Sequence, residues 1–228
     1  MDIVSGKEKK MNKISRKITA LISSVLIVCT LTISPLYASA AEARLGDATG
    51  DGKVDLFDVV AVCRHLIKKP ALIGTNLTQA DYNMDGKTNL FDAISIARFI
   101  VAKKNIDKTI TLINKVRTQK NLSSFIGDHS LTDAAMKRAS ELPKRFSGDY
   151  RPDNSSYQTV LAEYGISYEE CATCVAAAVP TPEVLLAEMI KRNDISKKIL
   201  GDSYEKIGVG YWVSSDDYKY YWTILLIK

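Results

Sequence analysis

The 228 residues suffice for one or two domains, and a hydrophobic share of 46% can supply a core for each. The net charge of +5 belongs to the N-terminus: residues 1–40 hold six of the 31 Lys and Arg and two of the 26 Asp and Glu, leaving 25 against 24. That balance removes any case from charge for nucleic-acid binding, and an odd number of cysteines beyond residue 40 (Cys63, Cys171, Cys174) argues against a disulfide framework.

In chain order, Lys7, Lys9, Lys10, Lys13, Arg16 and Lys17 precede an apolar run from Ile18 to Leu36, and Ala38-Ser39-Ala40 offers the small residues of a cleavage site. Residues 1–40 read as a secretory signal peptide; an uncleaved membrane anchor is the weaker reading, because Thr and Ser interrupt the run.

Two stretches then repeat one twelve-residue pattern 34 residues apart: DATGDGKVDLFD from Asp47 to Asp58 and DYNMDGKTNLFD from Asp81 to Asp92. Each puts an oxygen-bearing side chain at positions 1, 3, 5, 9 and 12 and a glycine at position 6, the way a loop wraps a hard cation. The side-chain candidates are Asp47, Thr49, Asp51, Asp55 and Asp58 in one loop and Asp81, Asn83, Asp85, Asn89 and Asp92 in the other. Position 7 gives a backbone carbonyl, so Lys53 and Lys87 join the set through their main chain. Asp-, Asn- and Gly-rich runs are ordinarily turns, but two in register argue for two Ca²⁺ sites. Apolar residues at helical spacing follow each loop and predict helices over 59–69 and 93–103. No comparable helix precedes Asp47, so these are loop-helix units.

Beyond residue 104 the duplication stops. Ile106, Ile110, Ile113 and Val116 mark a helix; Ser130 opens another to about Leu142; Ser155 or Ser156 opens a third through Tyr164; and Thr181-Pro182-Glu183 starts a fourth reaching Arg192. Alternation over 206–214 and 218–227 around Ser215-Asp216-Asp217 predicts a β-hairpin. Helices beside an antiparallel sheet make an α+β domain. Cys171-Ala172-Thr173-Cys174 has the spacing of a redox or metal motif but stands without a second pair, which leaves incidental thiols or a local disulfide.

On these loops, ending in Asp at position 12, the stretch from Leu45 to Lys104 resembles the type I dockerin family, the calcium modules that plug proteins into cohesin domains of a cellulosome scaffold. The resemblance implies partner contacts at loop positions 10 and 11 and helix positions 17 and 18: Leu56, Phe57, Cys63 and Arg64, and again Leu90, Phe91, Ala97 and Arg98. Near-identity of the two sets is similar to what lets such modules dock in two orientations related by a half-turn.

From Asp107 to Lys228, LINKVR (112–117), LTDAAMKRASEL (131–142), RPDNSS (151–156), EYGISY (163–168), IGVGY (207–211) and YWT (221–223) resemble the CAP superfamily, the cysteine-rich secretory and pathogenesis-related fold. That implies an α-β-α sandwich with a cleft over the sheet. The His and Glu that such a cleft normally holds fall instead at Gly148 or Asp149, Thr173 and Ile195, and Ile224 follows Thr223. The two histidines, His65 and His129, lie elsewhere, so the imidazoles that would hold a metal or carry protons are missing. Asp149, Glu169, Glu170 and Asp194 are the carboxylates a hydrolase could recruit instead.

The sequence therefore predicts a signal peptide (1–40), an all-α dockerin (44–104) and a CAP-like α-β-α domain (107–228). It describes a secreted cellulosome component, bound to a scaffold cohesin through two Ca²⁺ ions, whose CAP-like domain binds a peptide, lipid or carbohydrate rather than catalysing. A polysaccharide- or peptide-acting hydrolase is the alternative.

Overall fold

The computed structural model describes residues 44–228; the expected signal peptide lies outside the described residues. Helix α1 (Leu56–Leu66) starts inside the first loop, three residues before the periodicity predicts, because Asp55 is its N-cap. The Asp55 side chain accepts from the Phe57 amide at 2.8 Å while Asp58 accepts from the Asp55 amide at 2.7 Å. This capping box satisfies amides that a helix start leaves without intrahelical partners. Asn89 and Asp92 repeat it at the start of α3 (Leu90–Gln119), with 2.7 Å for both bonds. A short α2 (Gly74–Ala80), not read from the sequence, lies between them.

The helix expected over 93–103 and the one marked by Ile106 to Val116 are a single 30-residue rod, about 45 Å long at 1.5 Å per residue. No Gly or Pro interrupts it, and Lys103 reaches Asp107 at 2.6 Å one turn on, across the expected break. Ala93, Ile96, Phe99, Ala102, Ile106, Thr109 and Ile113 form its buried stripe. It ends where Asn121 takes a left-handed φ of 59° and Leu122 donates back to the Arg117 carbonyl at 3.0 Å, with asparagine where such a cap favours glycine or asparagine.

The rest is α4 (His129–Glu141), α5 (Gln158–Glu163), α6 (Pro182–Lys191) and α7 (Asn193–Ile199) around a four-stranded sheet in the order β1-β3-β4-β2. The strands are β1 (Ile126–Gly127), β2 (Cys171–Ala177), β3 (Lys206–Val213) and β4 (Tyr220–Ile227). The predicted hairpin is β3–β4, antiparallel, pairing Val209 with Ile224. Strand β2 pairs antiparallel with β4, and β1 runs parallel to β3. On one face Leu225 and Ile227 pack against Leu131, Ala134 and Ala135 of α4 and Val160 and Leu161 of α5. On the other, Ile207, Val209, Trp222, Ile224 and Leu226 meet Ile113 of α3, Leu185 and Met189 of α6 and Ile199 of α7. This is the α-β-α layering that the resemblance implies.

Gly208 and Gly210 set the distance between β3 and α4. A Cβ on Gly208 would lie 2.3 Å from the Leu131 carbonyl, and one on Gly210 2.1 Å from the Ala135 oxygen. The helix backbone rests directly on the strand, an approach only glycine permits. Along α3 the apolar interior is continuous from Ala48, Val54, Val62 and Tyr82 through Phe99, Ala102 and Ile106 to Ile113 and Trp222. The duplicated module and the sandwich thus share one helix and one core.

Candidate functional site

The two loops share one frame of hydrogen bonds, to which the first adds bonds from the Thr49 hydroxyl and the second a bond from the Asn89 amide to the Lys87 carbonyl. The position-1 carboxylate accepts from the position-6 glycine amide (Asp47 from Gly52, 2.7 Å; Asp81 from Gly86, 2.8 Å), and those glycines hold φ of 83° and 81°. The position-12 carboxylate accepts from the amides of positions 3 and 9: Asp58 from Thr49 at 2.9 Å and Asp55 at 2.7 Å, and Asp92 from Asn83 at 3.2 Å and Asn89 at 2.7 Å. At position 5, Asp51 accepts from the Lys53 amide and Asp85 from the Lys87 amide, both at 2.9 Å. Both lysine side chains stand in solvent.

Asp47, Asp58 and Asp92 are buried. Burial pushes the Asp58 carboxyl above its ordinary range, and the neighbouring Asp47 charge adds to that rise; Asp92 is raised by burial and then by Asp81 and Asp85. Carboxylates gathered out of water at their own electrostatic cost suit a divalent cation bound through oxygen. Among the described residues no three His, Cys, Asp or Glu side chains stand together as a metal cluster. The donor chemistry still fits a hard cation. Calcium bound there would replace the repulsion within each loop with shared coordination.

Of the expected partner residues, Leu56 and Phe57 are 65% and 71% exposed at the start of α1, and Leu90 and Phe91 58% and 69% at the start of α3. As first and second residues of capped helices, they are fixed outward. Cys63 and Arg64 are exposed on the same helix as the first pair. On α3, Ala97 and Arg98 border a groove of about 310 Å³ whose other wall is Tyr211, Trp212 and Val213 of β3. The Arg98 guanidinium sits 4.3 Å from the centre of the Trp212 ring, a cation–π contact worth about 0.5–2 kcal/mol depending on exposure.

In the sandwich, only two of the positions where the resemblance expects cleft residues come together, Gly148 and Thr173; Ile195 and Ile224 lie in the core on the other face of the sheet. A Cβ on Gly148 would lie 3.8 Å from Thr173 and from Val175. Thr173 is buried, its hydroxyl without a partner among the described residues, and Lys198 donates to its carbonyl at 3.1 Å. Ile195 and Ile224 are buried in the core. His65 accepts from the Leu72 amide at 2.9 Å, closing the turn after α1, and His129 is the first residue of α4. The carboxylates Asp149, Glu169, Glu170 and Asp194 are exposed; Asp194 pairs with Arg192 at 3.3 Å and Glu169 with Lys228 at 3.6 Å.

Cys171 and Cys174 are free thiols in β2, three residues apart and so on opposite faces, which precludes a disulfide between them. Cys171 meets the Tyr157 hydroxyl at 3.3 Å, while burial pushes the Cys174 thiol up to about 11, away from redox reactivity.

A cleft of about 680 Å³ between the modules escaped the sequence reading; Arg44 and Met84 line one side and Asp128, Asp133 and Tyr164 the other. Tyr82, the second residue of the second loop, donates to Asp133 of α4 at 3.1 Å. Burial pushes the Asp133 carboxyl up to about 7, opposed by the Tyr82 hydrogen bond and the Arg44 charge. No spacing rule links residues 82 and 133.

The geometry defines a two-part protein: a duplicated loop-helix docking module fused to a CAP-type sandwich. Residues 110–226 match the cysteine-rich secretory protein (CAP) family, over half of the chain, and the protein belongs to that family; residues 45–101 match the dockerin type I domain. Dockerin domains generally bind calcium and pair with cohesins. YkwD of Bacillus subtilis, an uncharacterized protein, is 26% identical over 105 residues, which are 46% of this chain and 41% of the relative. The chain thus spans about two fifths of the curated relative it matches. An extracellular SCP-domain protein from Bacillus anthracis shares the fold at a TM-score of 0.51 and 20% identity, over 57% of this chain and 42% of that one. An outer surface protein of Borrelia burgdorferi does so at 0.51 and 15%, over 56% of this chain and 94% of its own. Among the described residues no helix is long and apolar enough to cross a membrane.

Proposed function

We propose that this protein is an exported component of a cellulosome-type assembly, held to a scaffold cohesin by its dockerin and displaying its CAP domain as cargo. The observation that carries this reading is the shared hydrogen-bond frame of the two loops, each delivering an exposed Leu-Phe pair at a capped helix start. Two calcium ions occupy the loops, one each, held by Asp47, Thr49, Asp51, Asp55 and Asp58 with the Lys53 carbonyl, and by Asp81, Asn83, Asp85, Asn89 and Asp92 with the Lys87 carbonyl. The cohesin meets Leu56, Phe57, Cys63 and Arg64, or their counterparts Leu90, Phe91, Ala97 and Arg98. Export is supported by the expected signal segment and by kinship in fold with proteins described as extracellular and outer-surface.

The CAP domain acts by binding, through its shape, a peptide, lipid or carbohydrate; a glycine at position 148, beside Thr173, offers no side chain to ligate or titrate there, which supports a non-catalytic role. The test is capture of the mature chain on a panel of immobilised cohesins, first in calcium at about 2 mM, above the weakest extracellular affinities, and again with excess chelator. Retention in calcium and release by chelator is the expected result; equal retention in both, or none on any cohesin, would refute the docking assignment.

A further inference from the structure

The two halves of the docking module are nearly the same in sequence but unequally surrounded. Along α1 and its C-cap Ile67 the stripe Leu56, Phe57, Val60, Arg64 and Ile67 stands in solvent over about 16 Å, with Val60 at 40% and Ile67 at 66% exposure. The corresponding stripe on α3 is as open to water, with Ile94 at 42% and Val101 at 75% exposure, so what distinguishes it is the wall beside it: its second half runs alongside the protein's own sheet. Ile94, Ala97, Arg98 and Val101 form one wall of the groove whose opposite wall includes Trp212 and Val213 of β3. Arg98 is stacked on Trp212. Arg64, its counterpart, has no aromatic ring against it among the described residues.

A partner that recognises one repeat can recognise the other after a half-turn only if both present the same surface along the full stripe. Here the continuous α3 rod fixes the sandwich beside the second stripe, and Trp212 occupies the flank of the position that Arg98 would offer. We infer that the CAP domain removes the second docking orientation: the cohesin-type partner seats on the α1 stripe alone, and Trp212 is the residue that enforces the choice. This rests on the docking function proposed above and adds its orientation. In the assembly, the CAP domain would then project from the scaffold in one fixed direction instead of two.

The experiment uses the full mature chain and whichever cohesin it binds most tightly in calcium, with affinity read by titration calorimetry. Leu56, Phe57, Leu90 and Phe91 lie outside the core, so their truncation leaves the fold intact. Leu56→Ala with Phe57→Ala is expected to weaken binding at least about 30-fold, as truncating central anchors does. Leu90→Ala with Phe91→Ala is expected to stay within about 3-fold, the range of rim positions. Adding Trp212→Ala to the first pair should restore binding to within about 10-fold of the parent, by opening the α3 stripe.

Equal losses from the two pairs, or no loss from either alone, would overturn the inference while leaving the docking function standing. So would a loss caused by Trp212→Ala in the otherwise unaltered chain, which would make Trp212 part of the contact. Self-association abolished by Leu56→Ala with Phe57→Ala in sedimentation would assign the α1 stripe to a second copy and also overturn it. Absence of binding by the unaltered chain to every cohesin would instead refute the docking function itself. Should Trp212→Ala melt at a lower temperature, Trp212→Leu, which keeps an apolar side chain on β3 while removing the ring stacked on Arg98, makes the same test.

Discussion

In the dockerin half, the residues that carry the family resemblance are the ones that would touch an ion or a partner; in the CAP half they hold the fold. Arg117, the last residue of LINKVR, is buried, donating to the carbonyls of Ser123 (2.7 Å), Ile199 (2.8 Å) and Gly201 (2.7 Å) and lying 3.6 Å from the centre of the Phe125 ring. Arg151 of RPDNSS binds Glu141 at 2.7 Å and also Glu163 of EYGISY, joining three of the quoted segments in one ion network. Trp222 of YWT, fully buried, donates to the Val179 carbonyl at 2.7 Å. The residues that hold a scaffold and those that carry chemistry on it are therefore separate sets, and a fold can be kept while the residues of its cleft change.

The sharpest way to break this comparison is at IGVGY, where the resemblance is pure packing. Gly210→Ala forces a methyl against the Ala135 carbonyl. Backbone cannot rotate away as a side chain can, so the expected cost is at least about 3 kcal/mol. Melting of the full chain should fall by several degrees or be lost altogether. The opposite prediction holds for the cleft positions: Gly148→Ala meets ordinary contact distances of 3.8 Å and should change stability by less than about 0.5 kcal/mol, as surface-like substitutions do.

Next in size is calcium. A site filled at a hundred times its dissociation constant adds about 2.7 kcal/mol to folding, and a module of about 60 residues depends on such help. Because α3 and one core run through both halves, chelation should lower the melting of the sandwich as well as the loops, in one transition rather than two. Differential scanning calorimetry with and without chelator checks this. A CAP transition that stays fixed while a separate dockerin transition moves would show that the shared helix does not couple them.

The sequence displayed the ion-binding and partner-facing residues more clearly than the elements carrying them. Asp55 and Asn89 read as metal ligands, and their second role as N-caps, which starts α1 and α3 three residues early, is hidden by the first. The unbroken α3 was concealed by the change from duplicated to unique sequence near residue 104, although no helix breaker stands there. Strand β2 was masked by its Ala and Cys content, which drew attention to a two-cysteine spacing that the strand places on opposite faces. The long-range features, the Tyr82–Asp133 bond, the Arg98–Trp212 stack and the cleft between modules, depend on tertiary placement that no local period encodes.

The junction itself can be probed through Asp133. Its native carboxyl keeps its proton up to about pH 7, whereas the unfolded chain releases it near the ordinary 3.8. The native state therefore binds more protons between those values, so the stabilisation is complete below the unfolded pKa and is lost as pH rises through the native one. Asp133→Asn keeps the size and the acceptor for Tyr82 while removing the charge. It should flatten the dependence of melting temperature on pH between about 4 and 7. Above pH 7 it should stabilise the protein by at least about 2 kcal/mol, since each pH unit separating the native and unfolded values is worth about 1.4 kcal/mol. An unchanged pH profile would place the controlling group elsewhere.

The smallest effect separates the two loops from each other. At position 4 the first loop has Gly50 at φ 76°, and the second has Met84 at φ 57°, a left-handed conformation that a long side chain adopts at a cost of about 1 kcal/mol. Asparagine tolerates that conformation better, so Met84→Asn should raise the melting temperature of the calcium-loaded chain by about 2 °C. The reciprocal change, Gly50→Ala, strains a positive φ and brings a Cβ to 3.1 Å from Asn76, so it should destabilise. Met84 also lines the cleft between the modules. A lower melting temperature for Met84→Asn would therefore mean that thioether contacts there outweigh the backbone strain, making the second loop the one whose geometry is set by the CAP domain.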